Sequence, residues 1–176
     1  MLRCGFAGAG VTVGTIEFDR AEASPFGVCE IDSIGRIIGW QEKPADPKPS
    51  AHDPNKSHVS MGIYCFNRDL LLETLLADAE DPESQHDFGE NVIPRLIEKG
   101  CVYSYNFIDE NKKEALYWRD IGTIEAFYEA NMDLVSVSPV FNLYDSEWPI
   151  RTYQRQYPPA KFVFAQEGRR MGIAWD

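Results

Sequence analysis

Val59-Ser-Met-Gly-Ile-Tyr-Cys-Phe66 runs directly into Asn67-Arg-Asp-Leu-Leu-Leu-Glu-Thr-Leu-Leu76, and the hydrophobic period changes where the two halves meet. The first half is a short apolar run of strand length, with Gly62 inside it, which predicts a buried strand that a backbone or a ligand approaches closely. In the second half Leu70, Leu71, Leu72, Leu75 and Leu76 recur at helical spacing behind Asn67, an N-cap residue, which predicts a core-facing helix. Further along, Asp78 to Glu83 reads as a solvated acidic loop. Asp87 then precedes a second amphipathic run, Phe88, Val92, Ile93, Leu96 and Ile97, which closes at Gly100 and which Pro94 kinks or re-registers. Cys101 to Phe107 alternates as a strand, and Leu116 to Ile121 reads as another short one. Thr123 to Val137 is helical through Ile124, Phe127, Met132 and Leu134.

Toward the N-terminus, Val11 to Phe18 and Gly27 to Ile31 read as strands, and Asp32-Ser-Ile-Gly35 turns the chain into Arg36 to Glu42, completing a hairpin. Strands alternating with helices predict an α/β layer fold. Pro44, Pro47, Pro49 and Pro54 cannot continue a ladder, so the stretch after Lys43 is an exposed loop of a length that often carries function. Past Ser138 the helical pattern stops, and Pro139, Pro149, Pro158 and Pro159 predict a linker or extended segment.

The 176 residues, 44% hydrophobic, suffice for one sizeable core. With 17 Lys+Arg against 28 Asp+Glu the formal net charge is -11, which disfavours nucleic acid and anionic membranes as partners and still permits a small anionic ligand in a local basic pocket. No apolar run approaches the roughly 20 residues of a spanning helix, and the first ten residues do not read as a secretory signal. Cys4, Cys29, Cys65 and Cys101 show no Cys-x-x-Cys pairing and read as small buried hydrophobes in a reducing cytoplasm. His52, His58 and His86 show no metal-ligand periodicity and read as surface or capping residues.

Two places bring chemistry-bearing residues together. Trp40-Gln-Glu-Lys-Pro44 puts an aromatic, a carboxylate and an ammonium at the C-terminal end of a strand, the edge where open α/β sheets bind ligands. Glu42 can accept from sugar hydroxyls, and Lys43 offers a point charge for phosphate; taken alone, the pair reads first as a solvated surface feature beside a turn proline, and the motif needs company. Ser60 starts the next apolar strand. Trp118-Arg-Asp-Ile-Gly-Thr123 joins a strand to a helix, where Trp118 reads as core and Asp120 either as a helix cap or as a carboxylate ligand for Mg²⁺.

Ser24-Pro-Phe-Gly-Val28, Gln41-Glu-Lys-Pro44, Ser60-Met-Gly-Ile-Tyr64, His86-Asp-Phe-Gly89, Tyr117-Trp-Arg-Asp-Ile-Gly-Thr123, Asn131-Met-Asp-Leu-Val135 and Trp148-Pro-Ile-Arg-Thr-Tyr153 follow one another in this order. From about Gly10 onward the chain resembles the later part of the catalytic domain of bacterial glucose-1-phosphate adenylyltransferases, the ADP-glucose pyrophosphorylases. Glu-Lys-Pro is shared by many sugar nucleotidyltransferases, whereas the last three blocks together belong to the adenylyltransferase branch.

The resemblance implies a partial nucleotidyltransferase domain, glycosyltransferase-A-like and Rossmann-like, with a mixed sheet and flanking helices. Residues 1–137 would be the C-terminal portion of that catalytic domain, and 138–176 a linker leading toward a left-handed β-helix. It implies transfer of an adenylyl group from ATP to glucose 1-phosphate with Mg²⁺, giving ADP-glucose for glycogen synthesis, in an enzyme that is a homotetramer in the family. Carried over by motif, Gly27, Glu42, Lys43, Ser60 and Trp118 bind glucose 1-phosphate, Lys43 and Asp120 are the catalytic pair, and Asp120 holds the metal. The Gly-rich ATP loop that the family carries near its start has no match here, so the expectation is a fragment, inactive alone. A non-catalytic sugar-phosphate-binding or regulatory subunit, or a nucleotidyltransferase for another sugar 1-phosphate, remains open.

Overall fold

The computed structural model describes residues 9–108, 117–137, 139–141 and 143, together with the backbone of two short strands at 161–163 and 172–174. By compactness the chain divides into two units, Met1–Ala126 and Phe127–Asp176. Among the described residues of the first, five strands form one mixed sheet: β1 (Val11–Asp19), β2 (Gly27–Ile31), β3 (Ile37–Glu42), β4 (Lys56–Phe66) and β5 (Val102–Asn106), in the order β3-β2-β4-β1-β5. β1 runs antiparallel to β4 and parallel to β5. The predicted hairpin forms, with Gly27 opposite Glu42 and Cys29 opposite Trp40. It pairs with β4 only through Val28 and Cys29, then swings its turn across so that Arg36 bridges Tyr103 of β5. Gly35, at φ 82°, makes that turn possible.

Helix α1 (Arg68–Ala79) follows β4 as the change of period predicts, and the Asn67 side chain accepts from the amides of Asp69 and Leu70. Its orientation differs from the expectation. Thr74 and Asp78 are the buried residues, whereas Leu72, Leu75 and Leu76 are exposed. The leucines occupy too much of the circumference to face inward together, and the stripe through Leu70, Thr74 and Asp78 turns in because each polar member finds a partner: Thr74 Oγ1 donates to the Leu70 carbonyl at 2.7 Å, and Asp78 takes several donors described below.

Pro94 does re-register the second helix. Residues Phe88–Val92 form a π-helical turn, in which the amides of Val92 and Ile93 reach back five residues to Asp87 and Phe88, before α2 (Ile93–Glu98) resumes ordinary spacing. Pro94 has no N–H to give to the turn before it, so the extra residue is accommodated there. Asp87 caps the turn, accepting from Gly89 and Glu90, and Gly100 at φ 68° ends α2.

One core cluster joins the first unit's sheet to α2 through Val11, Val13, Cys29, Ile37, Val92, Ile93, Leu96 and Val102. A second, smaller one holds Ile16, Ala23, Val28 and Val59, with Phe18, Phe26 and Trp118 packed against it. Cys29 is buried as expected, and burial, with the Glu42 charge second, pushes its thiol far above the usual range. Cys65 and Cys101 are only half-buried, and Cys4 lies outside the described residues.

The predicted strand at Leu116–Ile121 does not form. Leu116 lies outside the described residues, and Tyr117–Ile121 has no regular structure. The Trp118 ring packs edge-on against Phe26 at 5.4 Å and Phe18 at 6.3 Å, so this segment is anchored by side-chain packing instead of a ladder. Helix α3 (Ile124–Leu134) is capped by Thr123, whose Oγ1 accepts from the Ala126 amide, and not by Asp120. In the stretch beyond 138, β6 (Lys161–Val163) pairs antiparallel with β7 (Gly172–Ala174). No helix among the described residues is long and apolar enough to cross a membrane.

Candidate functional site

The first unit carries a cleft of about 350 Å³ at the C-terminal end of β3, and its walls come from four separate parts of the sequence: Phe26 and Gly27, Trp40 and Glu42, Ser60 to Gly62 with Tyr64, and His86 to Gly89. Trp118 and Asp120 complete it. Five of the six residues singled out from the sequence, Gly27, Glu42, Ser60, Trp118 and Asp120, therefore meet around one space, although they span more than ninety positions.

Glu42 is the most closely held of them. The indole Nε1–H of Trp40 donates to its Oε2 at 3.2 Å, and two glycines leave room for the carboxylate. A Cβ on Gly27 would stand 2.5 Å from the Trp40 ring and 3.1 Å from Oε2, and one on Gly89 would stand 2.8 Å from Glu42 Cδ and still closer to Oε2. The hairpin register brings Gly27 opposite Glu42, and the π turn brings Gly89 to its other side. Oε1 is left for the solvent side, where Lys43 Nζ lies 3.7 Å away.

Lys43 itself does not line the cleft. It stands at the rim, exposed, with φ 43°, a left-handed conformation that is costly for a side-chain-bearing residue. Two bonds fasten it there: its amide donates to the Phe26 carbonyl at 3.1 Å, and Ser24 Oγ donates to the Pro44 carbonyl at 2.7 Å. The Ser24-to-Gly27 and Gln41-to-Pro44 blocks thus form one clamped double loop.

Ser60 is buried and its Oγ accepts from the Gly62 amide at 3.2 Å. Gly62 adopts φ 69° and nothing would meet a Cβ there, so this glycine serves a turn of the backbone and not the close approach expected from the sequence; it and Ile63 are exposed. Burial raises the Tyr64 phenol above its usual range against the lowering effect of a hydrogen bond with Ser60. The Tyr64 ring stacks on Phe88 at 5.5 Å. Asp120 is exposed at the cleft's edge.

Sequence reasoning gave Tyr64 and Gly89 no role of their own, took Trp40 only as the aromatic of the strand-end motif, and read His86 as a surface or capping residue, whereas all four line the cleft. Gly89 had a readable signal, since a glycine inside an amphipathic helical run weakens the helix and implies a close packing requirement.

The family model described as nucleotidyl transferase matches residues 6–137, three quarters of the chain, including every wall of the cleft. The chain belongs to the nucleotidyl transferase family. Similar proteins include one named glucose-1-phosphate adenylyltransferase from Koribacter versatilis, 59% identical over 171 residues, which are 97% of this chain and 41% of that protein. Others of the same name are from Rhodopirellula baltica, 54% identical over 96% of this chain and 38% of the relative, and Hydrogenovibrio crunogenus, 49% identical over 93% and 39%. The chain spans about two fifths of the length of these curated relatives.

For this nucleotidyl transferase, the metal question turns on Asp120. Among the described residues no group of three or more His, Cys, Asp or Glu converges as a cation cage. One exposed carboxylate beside a cleft is nonetheless the kind of donor Mg²⁺ takes, because that ion keeps several waters and completes its shell with one or two carboxylates and substrate phosphates.

Proposed function

We propose that the cleft is the glucose 1-phosphate half of a glucose-1-phosphate adenylyltransferase site, and that the protein containing it joins ATP and glucose 1-phosphate to give ADP-glucose and pyrophosphate. The observation that carries this reading is the convergence of Gly27, Glu42, Ser60, Trp118 and Asp120 on one cleft, in a chain most of which is 59% identical to a protein of that name.

In this reading the Glu42 carboxylate accepts hydrogen bonds from sugar hydroxyls through Oε1, while Trp40 fixes Oε2. Gly27 contacts the sugar through its backbone, Ser60 and Trp118 bound the sugar pocket, and Lys43, on the rim beside Glu42, neutralises the phosphate. The reaction forms a bond between a glucose 1-phosphate oxygen and the α-phosphorus of ATP and breaks the bond from that phosphorus to the departing pyrophosphate. The protein's contribution is to align the attacking phosphate and to screen its charge. Asp120 would hold Mg²⁺, which when bound supplies further charge neutralisation at the phosphates.

Calorimetric titration of the chain tests the reading. Glucose 1-phosphate should bind, glucose and inorganic phosphate should each bind far more weakly, and Glu42→Gln should weaken glucose 1-phosphate binding. Equal affinity for glucose 1-phosphate and a sugar phosphate lacking the glucose hydroxyl pattern would refute the assignment of Glu42.

A further inference from the structure

Asp78 is a carboxylate with an unusual position for a residue on a solvent-facing helix: it is 4% exposed. Its Oδ1 accepts from Ser84 Oγ at 2.6 Å and lies 3.6 Å from Arg95 Nη1, while its Oδ2 lies 2.9 Å from Nδ1 of His86. Hydrogen bonds from Ser84 and His86 hold the carboxyl below its ordinary range, so it is ionised and can only accept. The proton in the bond to His86 therefore sits on Nδ1, which fixes the tautomer and leaves Nε2 as the ring's remaining polar atom.

His86 is also held in an unfavourable backbone conformation, φ 59°. Its amide donates to Ser84 Oγ at 3.1 Å, and the next residue, Asp87, caps the π turn and binds Asn91 through its own amide. The imidazole itself is more than half exposed, at 58%, and lines the cleft two residues from Phe88 and three from Gly89, the glycine against Glu42. An exposed ring needs no buried anion for its own solvation, and burying a carboxylate is costly. The network's effect is to aim the ring.

We propose that His86 is a ligand-binding residue of the cleft and Asp78 its positioning residue, with His86 Nε2 accepting a hydrogen bond from a sugar hydroxyl of the bound sugar phosphate. The proposal rests on the glucose 1-phosphate reading above. In the Nδ1–H tautomer Nε2 carries no proton for a phosphate oxygen, so the contact selects the hydroxyl-bearing part of the ligand and adds a second acceptor to Glu42.

The test is ¹⁵N NMR of the histidines in the full chain, titrated with glucose 1-phosphate and separately with inorganic phosphate. The expected result is an Nδ1–H tautomer for His86 without ligand, and a shift of its Nε2 resonance on adding glucose 1-phosphate and not on adding phosphate. His86→Asn, which tolerates the left-handed backbone, should weaken glucose 1-phosphate about three- to tenfold, the value of one neutral hydrogen bond. Asp78→Asn should mix the tautomers and weaken the ligand similarly; should that variant fail to fold, the tautomer in the unmodified chain and the His86→Asn affinity still decide. An Nε2–H tautomer overturns the proposal. So does a titration in which the Glu42 and Lys43 amides move while Nε2 stays still, a result that leaves the glucose 1-phosphate reading standing. If no resonance moves, Glu42 and Lys43 included, that reading fails and this one with it.

Discussion

Gly89→Ala adds a single methyl group to the π turn, and its expected effect falls on the ligand and not on the fold. The backbone at Gly89 is not left-handed, so alanine is unstrained there. The new Cβ would stand 2.8 Å from Glu42 Cδ and closer still to Oε2, where ordinary contact begins near 3.4 Å, so the carboxylate has to retreat by more than about 0.6 Å or swing to another rotamer. Gly27 and the Trp40 ring close the other side, and the 3.2 Å bond from Trp40 is broken in the movement. Losing that bond costs about 0.5–1.5 kcal/mol, and replacing a helical glycine by alanine returns about 0.5–1 kcal/mol, so the melting temperature should change by only a few degrees. Glucose 1-phosphate affinity should fall about 10- to 150-fold, because a hydrogen bond to a charged carboxylate contributes about 1.5–3 kcal/mol and the displaced Glu42 no longer offers it. Calorimetric titration and a thermal scan on the same preparation measure both quantities. Gly100→Ala is the control: it lies outside the cleft, its Cβ would meet only the Arg36 guanidinium at 4.0 Å, and it strains a left-handed backbone, so it should lose stability and keep affinity better. Wild-type affinity in a folded Gly89→Ala protein would refute the role given to Glu42's position.

Lys43→Ala should weaken glucose 1-phosphate by roughly 10- to 150-fold and Lys43→Arg should restore only part of it, since a planar fork does not replace a point charge; an unchanged dissociation constant would remove Lys43 from the site. Leu96→Ala, at a fully buried position in the larger core cluster, should lower unfolding free energy by about 2–5 kcal/mol in urea titrations. The carboxyl of Asp78 is held low in the folded chain, so it binds protons more readily unfolded. Its contribution is complete above the ordinary value near pH 4 and is lost as pH falls through the lower folded value, and Asp78→Asn should flatten that part of the acid unfolding curve. Asp32 and Asp81, also held low, should leave some acid sensitivity in the variant.

The elements whose signal is local were legible. Asn67 caps α1, Asp87 caps the π turn, Gly100 ends α2 and the Asp32-to-Gly35 turn makes the hairpin, because each depends on a few neighbouring residues. The facing of α1 was not legible: five leucines outweigh one threonine and one aspartate in any periodicity, and only the donors at Ser84, His86 and Arg95 make Asp78 an inward residue. The strand expected at Tyr117–Ile121 failed for a similar reason, since the aromatic and β-branched content that favours a strand is used by Trp118 against Phe18 and Phe26. In the cleft the motif blocks were found, whereas the stacking of Tyr64 on Phe88 and the approach of Gly89 to Glu42 join segments far apart in the chain, so the blocks' own spacing does not encode which partner each residue meets.

The parallel pairing of β1 with β5 places Val11 beside Val102 and ties Thr15 Oγ1 to Ser104 Oγ at 2.6 Å. Closing a loop of some ninety residues costs entropy before any contact rewards it, so folding of this unit should be slow for its size, in the millisecond-to-second range of domains rich in non-local pairs. During synthesis β1 emerges well before β5 and waits, with one ladder edge unsatisfied, until β5 has left the ribosome. The hairpin can form early by itself, but its turn has no Tyr103 to meet until then. Chaperone dependence of the nascent chain should therefore end abruptly once residues 102–106 are available, and not decline gradually with length.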